Sequence, residues 1–202
     1  MSQRITYYYA VASGFAYLGE PELRRVAALA GADIDYRPID IQRIFRESGT
    51  TPPPRQSETR RAYRDIELAR WGRVRDLPIH VRPAFWPVEV EPASRLVIAA
   101  QELGLDAGRF SFALLRAVWA ESRNIADPET IRAIAGEVAP AGQAEAVLAK
   151  AADESTAQTY QRTSDDAVAA GVFGSPTYIV DGEFFFGQDR LSFLGKALGL
   201  ND

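Results

Sequence analysis

The 202-residue chain contains no cysteine, and this absence excludes several kinds of chemistry. Without a thiol the protein cannot exchange disulfides, bind a metal through sulfur or use a thiol nucleophile. His80 is the only histidine, and no Gly-x-Ser-x-Gly motif is present, so a Ser-His-Asp hydrolase is not indicated. One histidine leaves only carboxylates as metal ligands, and no spaced acidic loop of the calcium-binding type occurs. We therefore predict no metal site.

Charge and hydropathy exclude two further kinds of partner. The formal net charge is -4, so no excess of positive charge is available to neutralise nucleic-acid phosphates. No apolar run approaches the roughly 18 residues of a membrane span, and no apolar run follows a basic stretch at the N-terminus as in a signal peptide. The 47% hydrophobic content is typical of a globular protein. We expect a cytoplasmic protein that binds neither nucleic acid nor membrane.

Strand patterns occur at both ends of the chain. Residues 5–11 are rich in β-favouring side chains, residues 13–30 predict a helix, and residues 34–39 predict a strand parallel to the first. Near the other end, residues 176–180 and 183–187 predict a hairpin, followed by a helix over 189–198. A lone strand pair is marginally stable, so we expect both ends to form one sheet.

Helical patterns fill the middle of the chain, interrupted by proline-rich loops at 49–54 and 78–92. A short helical turn is predicted over 43–48 and helices over 57–74, 109–122, 141–152 and 156–170. Asp106 is the predicted N-cap of the helix over 109–122, and further helices start at Ser94 and Asp127 as N-caps. We place the sheet domain at residues 1–42 and 166–202, and an inserted helical domain at 43–165.

Ser13 lies at the junction between the first strand and its helix. The plain interpretation is an N-cap. The N-terminus of a helix also has free N–H groups and the positive end of the dipole, which favour an anion such as a thiolate. A hydroxyl that donates to that sulfur would lower the pKa of the thiol. Both interpretations can hold together, and the chain's lack of cysteine means that such a thiol would come from a cofactor.

The segment from Gly171 to Gly182 has the small residue–proline–strand–turn pattern of a thioredoxin-like sheet. We favour a cis bond before Pro176, which would turn the backbone N–H and C=O of Ser175 outward to pair with an extended peptide. The alternative is an ordinary trans proline at a strand start. Residues 188–190 open the last helix, either as a simple cap or as a site for an α-carboxylate and amine.

Arginine and aromatic residues form two further candidate features. Residues 55–76 contain seven arginines interleaved with four acids. They form either a solvated helix face or an entrance for a small anion. Phe85 and Trp86 lie between two prolines and are either core residues or the apolar wall of an aromatic pocket.

Together these segments resemble the 2-hydroxychromene-2-carboxylate isomerase family, which is related to kappa-class glutathione transferases and bacterial thiol oxidoreductases. The resemblance covers nearly the whole chain and is strongest from Gly171 to Leu191, where Gly-Val-Phe-Gly-x-Pro-Thr, Val-Asp-Gly and Phe-x-Gly-Gln-Asp-Arg-Leu occur in order. It implies an α/β fold, namely a thioredoxin-like domain with a large all-helical insertion. It also implies a homodimer.

The resemblance further implies glutathione as cofactor, with its sulfur at a catalytic Ser13. The cofactor-binding residues would be Ser13, Val172, Phe173, Gly174, Ser175, Pro176, Gln188 and Asp189. The substrate would be a small aromatic α-keto acid from the breakdown of naphthalene-like compounds. Its binding residues would be Thr50, Thr51, Arg60, Arg61, Phe85 and Trp86, with Arg60 or Arg61 at its carboxylate. Reversible addition of the thiolate to a conjugated double bond would allow cis–trans isomerisation.

The chain departs from the family pattern in three ways. Gly14 replaces the proline that usually follows the serine and is expected to loosen the turn, Ala10 and Val11 stand where an aspartate is common, and Thr50 replaces an asparagine. Two other functions therefore stay open. One is a kappa-like glutathione transferase that conjugates an electrophile. The other is a non-catalytic binding module on the same fold.

Overall fold

The computed structural model describes residues 3–200, and both ends of the chain contribute to one sheet as expected. The strands are β1 (Arg4–Tyr9), β2 (Asp33–Pro38), β3 (Thr177–Val180) and β4 (Glu183–Phe186), in the order β2-β1-β3-β4. β2 is parallel to β1, whereas β3 is antiparallel to β1 and forms a hairpin with β4. The sheet therefore brings residues from the start and the end of the chain side by side.

Nine α-helices lie within residues 3–200. They are α1 (Gly14–Ala30), α2 (Ile41–Ser48), α3 (Glu58–Arg75), α4 (Glu91–Glu102), α5 (Ala107–Trp119), α6 (Pro128–Val138), α7 (Ala144–Ala152), α8 (Glu154–Ala169) and α9 (Leu191–Ala197). Two short 3-10 helices occur at Pro53–Arg55 and Gln188–Arg190. This is the predicted architecture of a small mixed sheet with helices inserted between its two halves.

Local capping signals set several of the helix boundaries. The side chains of Ser13, Asp106 and Asp127 accept hydrogen bonds from backbone N–H groups in the first turns of α1, α5 and α6, as predicted. The prediction of Ser94 as a cap is wrong, because α4 begins three residues earlier, with a proline in its first turn. Ser94 is buried instead, and its hydroxyl donates to the Val90 carbonyl at 2.7 Å.

One hydrophobic core joins the sheet to the helices. Helix α1 packs against α5, and α4 packs against β2. Residues on both sides of the predicted boundary at position 43 belong to this core, including Tyr7 and Trp119, which are both fully buried. The division into two domains stays a prediction.

A carboxyl group lies inside the core beneath α1. Glu20 is fully buried, and its Oε1 accepts a hydrogen bond of 2.8 Å from the Tyr36 hydroxyl. The tyrosines of the sheet surround it, with the Tyr7 ring stacked on those of Tyr9 and Tyr178. Burial raises the pKa of Glu20 to about 8, while the Tyr36 hydrogen bond lowers it.

Candidate active site

The site is built where β1 passes into α1. Ser13 has extended backbone dihedrals, and its half-buried side chain accepts a hydrogen bond from the Ala16 N–H at 3.2 Å. The same hydroxyl donates to the carbonyl of Ser175 at 3.3 Å. Ser13 is therefore both the cap of α1 and the residue that connects α1 to the segment before β3.

Ser175 makes a second connection between the two ends of the chain. Its Oγ accepts a hydrogen bond of 3.0 Å from the Ala10 N–H. The Ser175–Pro176 peptide bond is cis, and the Pro176 carbonyl accepts from the Gly187 N–H at 2.9 Å. The backbone around Ser13 is thus held from two sides.

Two tryptophans from distant segments fix the residue before Ser13. The indole N–H groups of Trp86 and Trp119 both donate to the Ala12 carbonyl, each at 3.1 Å. Their ring centroids lie 5.6 Å apart. These bonds anchor the proline-rich loop after α3 and the end of α5 to the start of α1.

Gly14 is tightly packed, and the expectation that it loosens the turn stays a prediction. A Cβ at this position would lie 2.9 Å from Leu68 Cδ2 and 3.1 Å from the Trp119 ring. Leu68 and Trp119 are both fully buried and have little room to move. Glycine therefore fits beside the Trp119 ring, whereas a larger side chain at position 14 would press on it.

A cavity of about 660 Å³ opens beside Ser13. Its walls come from the segments just after β1 and just before β3, from the end of β4, from α1, α2 and α3, and from the two proline-rich loops. Most of the lining is apolar, including Phe15, Phe45, Tyr63, Trp86, Val88, Val90, Phe173 and Phe186. Such a volume and lining suit a small organic ligand.

One cation lies against the aromatic wall of this cavity. The Arg64 guanidinium carbon is 4.5 Å from the centroid of the Trp86 ring, 5.3 Å from that of Trp119 and 5.8 Å from that of Phe15. Arg64 is half-buried, and burial lowers its pKa to about 10. It therefore still carries its charge at neutral pH.

The structure brings together many, but not all, of the residues predicted for the site. Those that line the cavity are Ser13, Thr50, Thr51, Arg60, Trp86, Phe173, Gly174 and Ser175. Those that lie outside its lining are Arg61, Phe85, Val172, Pro176, Gln188 and Asp189. Arg61 and Phe85 are exposed, and Val172 packs in a small core cluster behind α2.

Gln188 and Asp189 were expected to bind the γ-glutamyl end of glutathione. Gln188 is buried, and its Oε1 accepts a hydrogen bond of 3.2 Å from Arg75. Asp189 is exposed and lies 3.5 Å from Arg190. Both residues lie at the start of the last helical segment, beyond the edge of the cavity, and their role in binding stays a prediction.

Arg64 is the residue that sequence reasoning missed. It appeared only as one of seven arginines on a charged segment. Helical spacing held a usable signal, because Leu68 is fully buried and lies one turn further along the same face of α3. An arginine four residues before a core leucine is expected to face the interior rather than solvent.

Neither a metal centre nor a membrane segment is found among residues 3–200. No group of three or more His, Cys, Asp or Glu side chains in this part of the chain is placed to hold a metal ion. None of its helices combines the length and apolar character needed to cross a membrane.

The mixed sheet, the helices inserted in it and the serine at the start of α1 define a thioredoxin-like protein without a redox cysteine. The family model described as "DSBA-like thioredoxin domain" matches residues 4–199, and the chain belongs to this family. The predicted fold class is thereby confirmed.

Individual relatives agree with the resemblance found in the sequence. The chain is 28% identical to 2-hydroxychromene-2-carboxylate isomerase of Sphingobium xenophagum, with 98% of this chain and 99% of the relative covered. It is 29% identical to glutathione S-transferase kappa 1 of Homo sapiens, with 98% and 92% covered. A solved structure of 2-hydroxychromene-2-carboxylate isomerase has a TM-score of 0.81 at 24% identity, with 97% of this chain and 94% of that one covered. These similarities support an enzyme of the isomerase class.

Proposed function

We propose that the protein is a glutathione-dependent cis–trans isomerase of small aromatic α-keto acids. The substrate pair would be 2-hydroxychromene-2-carboxylate and trans-o-hydroxybenzylidenepyruvate, or a close analogue. The observation that carries the proposal is the position of the Ser13 hydroxyl. It lies at the N-terminus of α1, within hydrogen-bond distance of the Ser175 backbone and on the wall of an apolar cavity, in a chain without thiols.

The residues around Ser175 fit a tripeptide cofactor such as glutathione. Ser175 is half-buried at the cavity wall, and its N–H has no backbone acceptor within residues 3–200. Among the described residues, the one hydrogen bond that its carbonyl accepts is the 3.3 Å bond from the Ser13 hydroxyl. An extended peptide can pair with such a backbone N–H and C=O as another strand would. Gln188 and Asp189 would hold the γ-glutamyl end of this peptide.

Ser13 would hold a sulfur anion at the start of α1. Bound glutathione would supply the thiolate that adds reversibly to the substrate's conjugated double bond and makes rotation about that bond possible. The Ser13 hydroxyl can turn from the Ser175 carbonyl and donate to that sulfur, since its bond to the carbonyl is long. The unpaired N–H groups and dipole of the first turn of α1 favour the same negative charge. Together they would lower the pKa of the thiol below its ordinary value.

The cavity walls fit the aromatic part of the substrate. Trp86, Phe45 and Tyr63 supply flat apolar surface, and the volume of about 660 Å³ accommodates a bicyclic acid beside a peptide. Burial of the substrate among these side chains would also keep water from the adduct. Thr50 and Thr51 add hydroxyl groups at the cavity rim.

The similarity to a kappa-class transferase supports a second candidate, because its identity of 29% is as high as that of the isomerases. A transferase would release a glutathione adduct of an electrophile. The two functions differ in the fate of the cofactor, which an isomerase regenerates and a transferase consumes.

The test is incubation of the purified protein with glutathione and trans-o-hydroxybenzylidenepyruvate, followed by analysis of all products. Isomerisation that needs glutathione but leaves its concentration unchanged is the expected result. Stoichiometric loss of glutathione into a stable adduct would favour the transferase, and inertness with both would contradict the proposal. A cytoplasmic location, a homodimer and a place in the breakdown of naphthalene-like compounds accompany this proposal as predictions.

A further inference from the structure

Arg64 is a cation that forms no ion pair within residues 3–200. Among residues 3–200, no carboxylate lies within ion-pair distance of its guanidinium, and no side chain or carbonyl accepts a hydrogen bond from it. Its close neighbours are the rings of Trp86, Trp119 and Phe15. Arginines with buried guanidinium groups normally pair with an acid, because an uncompensated buried charge is costly.

The neighbouring acids of α3 are already engaged elsewhere. Asp65 accepts a hydrogen bond of 2.8 Å from Arg82, and Glu67 pairs with Arg70 one turn along the helix. The charge of Asp65 raises the pKa of Arg64 from a longer distance, but neither carboxylate forms an ion pair with its guanidinium. Cation–π contacts with the rings offset part of the cost of desolvation, but no oxygen of the described residues accepts a hydrogen bond from the five N–H donors of the guanidinium.

The location of this charge is specific. Arg64 lines the same cavity as Ser13, and two of the rings that it contacts belong to the tryptophans bonded to Ala12. The guanidinium is therefore positioned by the same elements that position Ser13. Arg60 also lines the cavity but is exposed, one turn earlier on α3.

We infer that Arg64 binds the carboxylate of the substrate and makes the site selective for aromatic acids over their neutral analogues. This assignment rests on the proposed function and replaces the expectation that Arg60 or Arg61 meets the carboxylate. A planar guanidinium donates two parallel hydrogen bonds to a carboxylate, which a point charge cannot do. The rings of Trp86 and Phe15 beside it would contact the aromatic part of the same molecule.

A binding experiment tests this assignment without relying on the reaction. The probes are trans-cinnamate and cinnamamide, which differ only in that a neutral amide replaces the carboxylate. Each is titrated against the full-length protein with and without saturating glutathione. Trp86 and Trp119 lie against the guanidinium, so intrinsic fluorescence reports binding. The variants are Arg64→Gln, Arg64→Lys and the control Arg73→Gln, which removes the same charge from an exposed position of α3 outside the cavity.

The expected result is at least a 10-fold tighter binding of cinnamate than of cinnamamide by the wild type, retained in Arg73→Gln. Arg64→Gln should bind both probes equally, and Arg64→Lys should keep part of the preference because it keeps the charge but loses the planar fork. The assignment is overturned if the wild type shows no preference, binds no cinnamate up to its solubility limit, or keeps its preference in Arg64→Gln.

Kinetics separate this assignment from the proposed function. Arg64→Gln should raise KM for the keto acid by 10- to 100-fold, with a smaller change in kcat and no change in the pKa of bound glutathione. A shifted thiol pKa with unchanged KM would assign Arg64 to the thiolate and overturn the inference. Should no isomerisation occur at all, a cinnamate preference that depends on Arg64 would still establish the carboxylate site while the proposed function fails.

Discussion

Replacing the buried Glu20 by glutamine should remove a large pH dependence of stability. Glu20 is fully buried, its Oε1 accepts from Tyr36 at 2.8 Å, and its Oε2 has no partner among the described residues. Burial raises its pKa from an ordinary value of 4.5 to about 8, although the Tyr36 hydroxyl and the charge of Arg24 lower it. The side chain is therefore protonated in the folded protein at neutral pH, whereas in the unfolded chain it is ionised.

The sign and size of the effect follow from this difference. Between the unfolded pKa of 4.5 and the folded pKa of about 8, the native state binds more protons than the unfolded state. The free energy of unfolding therefore falls as pH rises through this window, by about 1.4 kcal/mol per pH unit at most. The full penalty of about 5 kcal/mol is absent below this pH window and complete above it. Glutamine has nearly the same shape and does not ionise. The stability of Glu20→Gln should therefore not fall with pH for this reason.

The assay is urea unfolding of the wild type and Glu20→Gln at pH 5, 6, 7 and 8, followed by circular dichroism. Other titrating groups are common to both proteins and cancel in the difference. The two should have similar stability at pH 5, and the variant should become more stable than the wild type by a few kcal/mol at pH 8. Parallel pH profiles, or a wild type that gains stability relative to the variant as pH rises, would refute the assignment of a buried neutral acid.

Two further predictions concern the packing around the site. Gly14→Ala should destabilise the protein by about 1–3 kcal/mol, because the new methyl group would press on Leu68 and the Trp119 ring. Thermal unfolding measures the loss of stability, and an unchanged midpoint would contradict the tight packing at this position. Ser175→Ala should cost about 1–2 kcal/mol, because the part-buried Ala10 N–H loses its acceptor at 3.0 Å. Glutathione should still raise the melting temperature of this second variant, since the cofactor is proposed to pair with backbone groups; loss of that stabilisation would place the Ser175 hydroxyl in the binding site.

Much of the fold was accessible from the sequence because its signals are local. Ser13, Asp106 and Asp127 cap helices through residues two or three positions away, so their sequence context is sufficient. The joining of the two chain ends in one sheet followed from the instability of isolated strand pairs. Ser94 was misjudged because Pro92 could belong either to a loop or to the first turn of α4.

The rest depended on contacts between distant segments. The indole of Trp86 reaches Ala12 across 74 residues, and this packing supplies an aromatic ring against which the Arg64 guanidinium lies. Glu20 looks like an ordinary residue of an amphipathic helix until the tyrosines of the sheet enclose it. No periodicity in the sequence encodes such tertiary contacts.

The most direct test of the central claim is the pKa of glutathione bound to the wild type and to Ser13→Ala. Glutathione would be titrated into each protein by calorimetry in buffers of different ionisation enthalpy, and the thiolate would be followed by its ultraviolet absorbance across pH. We predict saturable binding to both proteins, with a thiol pKa in the wild type well below that of free glutathione and at least about one unit lower than in Ser13→Ala. Absence of saturable binding to the wild type, or the same thiol pKa in both proteins, would contradict the assignment of Ser13 as the partner of the thiolate.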